Sequence, residues 1–289
     1  MASNSKIAIV TMVYNEPDFL PFWQRYYGRE VGAQHCYIVD HGSTDGSTDQ
    51  LGEFNRLRIP RSPMDESRRS GFISEFCSSL LKWYDFVAYC DVDEFLVADP
   101  ARFSSLADFC AQTDLDVVTA FGFNVVHWLH HELPIDPARP ILSQRRWVHP
   151  ISSMSKPLLT RRPIDWPGGF HSWNGPARFD GLFNFHMAYM DLDIALRRQA
   201  KRRSVEWAQH WSAAHHLDQD DTIVQRMEAA SQMPKVENIT LDSNCTSLRR
   251  FINRIRLSQH GRDSDPYKTE MNIWGASLWQ IPERFRSVV

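Results

Sequence analysis

Phe86-Val87-Ala88-Tyr89-Cys90-Asp91-Val92-Asp93-Glu94-Phe95 is an apolar run that ends in three acids. It reads as a buried strand that delivers carboxylates to its own end. Successive side chains of an extended backbone point to opposite faces, so Asp91 and Asp93 share one face, Cα atoms roughly 7 Å apart, while Val92 packs on the other. Two such carboxylates can converge on one divalent cation, or on a ribose and a cation together. Oxygen-only ligands favour Mg2+ or Mn2+ over zinc. Taken alone, the cluster reads equally well as a solvated turn or a helix start. The rest of the chain decides.

Upstream, Ile7 to Val13 is an apolar run of the sort expected for a parallel strand covered on both faces. Asn15, Glu16 and Pro17 then open a helix, with Phe19, Phe22, Trp23 and Tyr26 at helical spacing, an aromatic core stripe. A second strand, Cys36 to Val39, ends in Asp40-His41-Gly42-Ser43-Thr44-Asp45-Gly46-Ser47, read as a strand, a polar glycine turn and a capped helix. Leu57 to Ile59 is a short third strand, and Asp65 to Trp83 an amphipathic helix leading into the acid-tipped strand. This alternation predicts a mostly parallel, Rossmann-like α/β sheet flanked by helices and joined by right-handed crossovers. Thr11 with Asn15, Asp40, and Asp91 with Asp93 then lie on one sheet edge, where such folds bind ligands.

Composition narrows the class. The 289 residues are 43% hydrophobic and 12% aromatic, enough for a sizeable core, and a net charge of −3 gives no basic field for nucleic acid. The five cysteines form no CxxC pair, which suits a reducing compartment. Met1 to Lys6 is polar, unlike a secretory signal, and no run approaches the roughly 18 apolar residues of a membrane span. A cytoplasmic protein is expected.

Three motifs sharpen the reading: Thr-x-x-Tyr-Asn-Glu at Thr11 to Glu16, Val-Asp-x-Gly-Ser-Thr-Asp-Gly-Ser at Val39 to Ser47, and Asp-Val-Asp-Glu-Phe at Asp91 to Phe95. In this order, over about the first hundred residues, they resemble the family 2 glycosyltransferases with the glycosyltransferase A fold. The third is most similar to the family 2-like branch, itself similar to family 92. The resemblance implies transfer of a sugar from a nucleotide-activated donor, commonly UDP-linked, with Mn2+ or Mg2+ held at the Asp-x-Asp turn. Carried over by position, Thr11, Val13 and Asn15 line the nucleoside pocket, Asp40 bonds the base, Asp91 meets the ribose or the metal, and Asp93 ligates the metal. His41 stands where the family often has a second acid, which leaves the nucleotide less defined. A role in bacterial polysaccharide or other glycoconjugate synthesis follows from the resemblance alone.

The second half is less legible. Leu106 to Ala111 reads as a helix and Asp116 to Val126 as one strand ending in Asn124 and His127. Between Trp128 and His186 the composition turns to Trp, His, Pro and Arg, including Trp147, Trp166, Gly168, Gly169, His171 and Trp173, and the glycan or other hydroxyl acceptor is assigned here. These tryptophans are read equally as core. His186, in Leu182-Phe183-Asn184-Phe185-His186, resembles the family's late histidine, a third metal ligand. Lys156 resembles its basic residue near the donor phosphates. An inverting transfer needs a base for the acceptor hydroxyl; His171, Asp165 and Asp180 lie in the right region. Asp191 to Trp207 reads as a helix whose Arg197, Arg198, Lys201, Arg202 and Arg203 form a solvated face, or else a peripheral contact for a polyanionic acceptor or anionic lipid. The expected organisation is one compact catalytic domain: a nucleotide-sugar half over 1–127, an acceptor half over 128–215 and a mainly helical extension over 216–289.

Three rivals remain. A nucleotidyltransferase would need a glycine-rich loop after the first strand, and Val13-Tyr14-Asn15-Glu16-Pro17 has none. A zinc hydrolase built on His127, His130, His131 and Glu132 lacks the His-Glu-x-x-His order. A non-catalytic sugar- or nucleotide-binding protein would have no need of both Asp91 and Asp93.

Overall fold

The computed structural model describes residues 5–208, 217–259 and 269–289. In chain order they form β1 (Ile7–Val13), α1 (Leu20–Val31), β2 (Cys36–Asp40), β3 (Asn55–Arg58), α2 (Glu66–Leu80), β4 (Phe86–Tyr89), β5 (Glu94–Ala98), α3 (Leu106–Gln112), β6 (Val117–Thr119) and β7 (Phe121–Val126). There follow α4 (Ile141–Gln144), β8 (Trp147–Pro150), β9 (Pro157–Thr160), β10 (Leu182–His186), α5 (Leu192–Arg203), α6 (Asp220–Gln232), β11 (Lys235–Val236), α7 (Thr246–Ser258) and β12 (Leu278–Gln280). The protein is α/β: two six-stranded sheets, ordered β3-β2-β1-β4-β9-β6 and β11-β12-β8-β7-β10-β5, flanked by helices.

The first sheet carries the expected parallel set. β1 pairs with β2 and β4, and β2 with β3, all parallel, while β9 closes the sheet antiparallel to β4 and β6. The register sets Val13 opposite Asp40 and Asp40 opposite Arg58, so the carboxyl ends of these strands form one edge. Cys90 continues that edge by donating to the Val10 carbonyl at 3.0 Å. β1 and β4 are buried on both faces, as their unbroken apolar runs require.

Two expectations need correction. Residues 41–54 form turns with no helix, so no helix N-terminus stands behind the Asp40 turn. The strand expected over Asp116 to Val126 divides at Ala120, β6 joining the first sheet and β7 the second. The C-terminal part carries α6 and α7, and its short β11 and β12 join the second sheet. The expected division at 215/216 falls outside the described residues.

The break after β6 has a cause. Ala120 donates to the Lys156 carbonyl at 2.9 Å, and Gly122 donates to Ser155 Oγ at 3.0 Å. The 151–156 segment crosses so close that a Cβ on Gly122 would lie 2.0 Å from the Met154 carbonyl carbon. This crossing delivers Lys156 to the end of β4. Gly122→Ala should therefore cost roughly 1–3 kcal/mol by overpacking. Gly71→Ala, on the exposed face of α2 where a Cβ meets nothing within 4 Å, should gain about 1 kcal/mol. Equal urea-unfolding midpoints for the two variants would refute the crossing.

Candidate active site

Where β4 ends, the chain turns through Asp91 and Asp93 and enters β5, so it passes directly from one sheet to the other. β5 pairs antiparallel with β10, placing His186 opposite Glu94, and β10 runs parallel to β7, placing His186 opposite Asn124. The turn is clamped by Met187 N–H, which donates to the Asp93 carbonyl at 2.8 Å. The site therefore lies at the junction of the two sheets.

Asp93 is 2% exposed. His186 Nε2 lies 3.1 Å from its Oδ2, and the Arg198 guanidinium of α5 donates to the same oxygen. His186 Nδ1 faces Asn124 Oδ1 at 2.7 Å, which fixes the ring. Arg198 also reaches Glu16 at 3.4 Å and stacks over the Phe19 ring, 4.7 Å from its centre. Lys201, three residues on, meets Glu16 at 2.5 Å and the Asn15 carbonyl at 2.6 Å. The basic helix is thus no solvated face on this side. Ile194, Ala195 and Arg198 are buried together, and their three- and four-residue spacing was the sequence signal for an inward arginine.

Asp91 is tied from the other side. The Arg69 guanidinium of α2 and the Tyr89 hydroxyl, at 2.7 Å, both donate to it. Lys156, 3% exposed, stands 2.6 Å from Glu94 and 3.8 Å from Asp91. Burial opposes the charge on Lys156, but Glu94 and Asp91 outweigh it and raise its pKa. Arg69, Glu94, Glu16, Arg198 and Lys201 are among the members that the sequence motifs did not assign to the site.

Of the expected nucleoside-lining residues, Thr11, Val13 and Asp40 are buried, whereas Asn15 is partly open. Thr11 Oγ1 has no hydrogen-bond partner among the described residues. Asn15 adopts φ of 52° and knits the strand ends together, its N–H donating to Ser43 Oγ at 3.0 Å and its Oδ1 accepting from Thr44 N–H at 2.8 Å. Asp40 accepts from Ser43, Thr48, Arg56 and Arg58. Ser43 N–H meets its Oδ1, while Thr48 and the β3 residues Arg56 and Arg58 meet its Oδ2, so a base there would compete with these donors.

The base candidates separate clearly. His171 Nδ1 lies 2.7 Å from the Ser153 carbonyl, so it donates there and leaves the Nε2 lone pair free. Burial, then the Lys156 charge, brings the imidazole down to about 3, and Asp91 and His186 are among its neighbours. Gly169, with φ of 80°, hugs this ring: a Cβ there would lie 2.7 Å from Nε2. Asp180, in contrast, pairs with Arg102 at 2.9 Å just before the far end of β10 from His186. Asp165 is exposed, between buried Ile164 and Trp166. Neither is brought to the cluster. Trp147 and Trp166 are core residues, 2% and 4% exposed, not acceptor surfaces. The alternative zinc set is consumed locally, with His127 bonded to the Glu132 carbonyl at 3.1 Å and His131 stacked on Trp128.

A divalent cation at the acidic turn would take Asp93 Oδ2 and His186 Nε2, an oxygen and a nitrogen of the kind Mn2+ accepts. Asp91, Asp93 and His186 nevertheless do not close round one point, and among the described residues no three His, Cys, Asp or Glu side chains do. Arginines hold both carboxylates instead. In this arrangement the residues do not fit the expected metal.

No protein-family model matches the chain, and no curated protein does. Among solved structures it is similar to a mannosyltransferase from Pyrobaculum calidifontis in complex with GDP-Man and Mn2+, at 11% identity and a TM-score of 0.37, over 78% of this chain and 74% of that one. It is similar to a mannose-1-phosphate geranyltransferase from Thermus thermophilus at 13% identity and a TM-score of 0.31, over 76% and 68%. A mycobacterial protein matches at 14% identity and a TM-score of 0.30, and the chain spans 44% of its length. Likenesses this distant fix no activity, so the functional reading rests on the site. No helix among the described residues is long and apolar enough to cross a membrane.

The Asp93 cluster makes a prediction about pH. Burial disfavours the Asp93 charge, but Arg198 and His186 outweigh it and hold the carboxyl well below the usual range. A depressed folded pKa contributes stability in full above the unfolded value, about 4, and loses it as pH falls toward the folded value. Urea midpoints should drop steeply from about pH 4 to pH 2 in the wild type. Asp93→Asn should flatten that slope and cost up to about 3 kcal/mol at pH 7, because Arg198 is left with Glu16 as its one carboxylate among the described residues. Identical slopes would mean that Arg198 does not hold Asp93.

Proposed function

We propose that the protein is a nucleotide-sugar glycosyltransferase, with a UDP-sugar the expected donor and a glycan or other hydroxyl compound the acceptor. The observation that carries this reading is the convergence, at the carboxyl edge of the parallel strands, of Asp91, Asp93, His186 and Lys156 with the basic face of α5. An acidic turn interleaved with fixed cations suits a ligand that joins hydroxyls to a diphosphate. The ribose and sugar offer donors to carboxylates, and the phosphates need positive charge.

In the transfer, the acceptor oxygen forms a bond to the anomeric carbon as the bond from that carbon to the phosphate oxygen breaks. The nucleoside diphosphate leaves with the bonding pair. Lys156, fixed by Glu94, lies where it can offset the charge that develops on that leaving group. His171 Nε2 is the lone pair placed to take the acceptor's proton once the donor's negative charge offsets the Lys156 cation that, after burial, keeps the imidazole a weak base, and inversion at the anomeric carbon follows from this single displacement. The diphosphate adds negative charge to a cluster in which Glu16, Glu66, Asp91, Asp93 and Glu94 already face Arg69, Lys156, Arg198, Lys201 and Arg202. A divalent cation arriving with the donor is therefore an arm of the test rather than a step of the mechanism.

Calorimetry with UDP, GDP and CDP, each with and without Mn2+, tests the reading. One nucleotide should bind tightly and far better than its nucleoside, and binding of none would overturn the proposal. Once a donor is known, His171→Ala should lower kcat by about 10²- to 10⁴-fold with nucleotide affinity unchanged.

A further inference from the structure

One charged group near the site has no internal partner among the described residues. Arg202 lies one turn beyond Arg198 on α5, at the four-residue spacing that puts both on the face turned toward Asp93 and Glu16. The other basic residues of the helix are spoken for. Arg197 pairs with Asp18 at 2.6 Å, Arg198 with Asp93, Lys201 with Glu16 at 2.5 Å, and Arg203 with Asp220 at 2.8 Å. The Arg202 side chain has neither a hydrogen bond nor an ion pair among the described residues, although it is half-buried within the field of Asp93 and Glu16. Burial and the charge of Arg198 bring its guanidinium down to about 10.

A half-buried guanidinium with five unanswered N–H donors, set beside a second arginine, is costly to keep. Two cations four residues apart also repel. The position at the helix C-terminus relieves a little of this through the macrodipole, yet Lys201 and Arg203 share that benefit while keeping carboxylate partners. Such a group is an anion site waiting for its anion.

We propose that Arg202 is the primary phosphate-binding residue of the site, taking the diphosphate of the nucleoside-diphosphate donor in a two-pronged hydrogen bond beside the Asp93–Arg198 pair. This deepens the glycosyltransferase reading and rests on it for the identity of the ligand. The planar fork of a guanidinium matches two phosphate oxygens, which the point charge of a lysine does not. Arg202 is thus a binding residue, with no part in proton transfer.

The test is calorimetry on the full chain with inorganic pyrophosphate and with UDP, GDP and CDP, with and without Mn2+, together with thermal melting. Arg202→Ala should weaken pyrophosphate and the preferred nucleotide by roughly 10- to 100-fold in both conditions. Arg202→Lys should recover only part of the loss. The melting temperature of Arg202→Ala should be unchanged or higher, because the variant removes an unpaired charge, whereas a merely structural arginine would lower it. Arg197→Ala, on the exposed side of α5, should bind as wild type does. Unchanged affinity in Arg202→Ala, or no pyrophosphate binding by the wild type, overturns the assignment. Arg202-dependent pyrophosphate binding with no nucleotide bound more tightly would uphold the anion site and sink the glycosyltransferase reading. Tight nucleotide binding indifferent to Arg202 would do the reverse.

Discussion

The buried pair of Asp93 and Arg198 is the constraint on which the rest of the site depends. Asp93 belongs to the turn that carries the chain from one sheet into the other, and Arg198 comes from a helix 105 residues later. A carboxylate at 2% exposure is untenable without a partner of opposite charge. Once α5 supplies that partner, its neighbours follow: Lys201 is drawn to Glu16 and the Asn15 carbonyl, and Arg202 is carried to the same place with no partner of its own among the described residues. One ion pair thereby sets the positions of the β1 loop, the acidic turn and the basic helix.

A pair of this kind is poor evidence for net stability, since desolvating two charges consumes most of what their attraction returns. Its worth lies in position. Lys156 illustrates the same principle from the opposite side: it is locked by Glu94, and its backbone is locked by the crossing over Gly122. Cations fixed before a ligand arrives need no rearrangement to meet developing charge, which is the condition for electrostatic catalysis. The tight local packing round Gly122 is in this sense part of the site, although it touches nothing chemical.

The first hundred residues were legible because parallel strands buried on both faces must be apolar throughout, so β1, β2 and β4 announce themselves and their ends follow. From the less legible half, the chain brings Lys156, His171 and His186 beside the acids. The turn after Asp40 misled, because Asp-x-Gly-Ser-Thr-Asp-Gly-Ser suits a helix cap and an Asx turn equally, and tertiary bonds from Arg56 and Arg58 selected the turn. The Asp116 to Val126 stretch misled for a related reason. Both pieces are extended and apolar, and nothing in their periodicity says that they belong to different sheets. Arg198 was hidden among like charges, where composition suggests solvent and only the spacing from Ile194 and Ala195 points inward.

An Asp-x-Asp turn in a sequence states that positive charge is required at that place, without stating its source. A divalent ion is one source, because two carboxylates from one turn can share it. Here Arg69 answers Asp91 and Arg198 answers Asp93, each from a different helix and each far from the turn in sequence. A guanidinium and a metal ion are not interchangeable partners: the guanidinium keeps its other N–H groups for further acceptors, as Arg198 does with Glu16. The same two acids can therefore serve as ligands or as anchors for phosphate-binding arginines. Which role they fill is decided by residues that no motif includes.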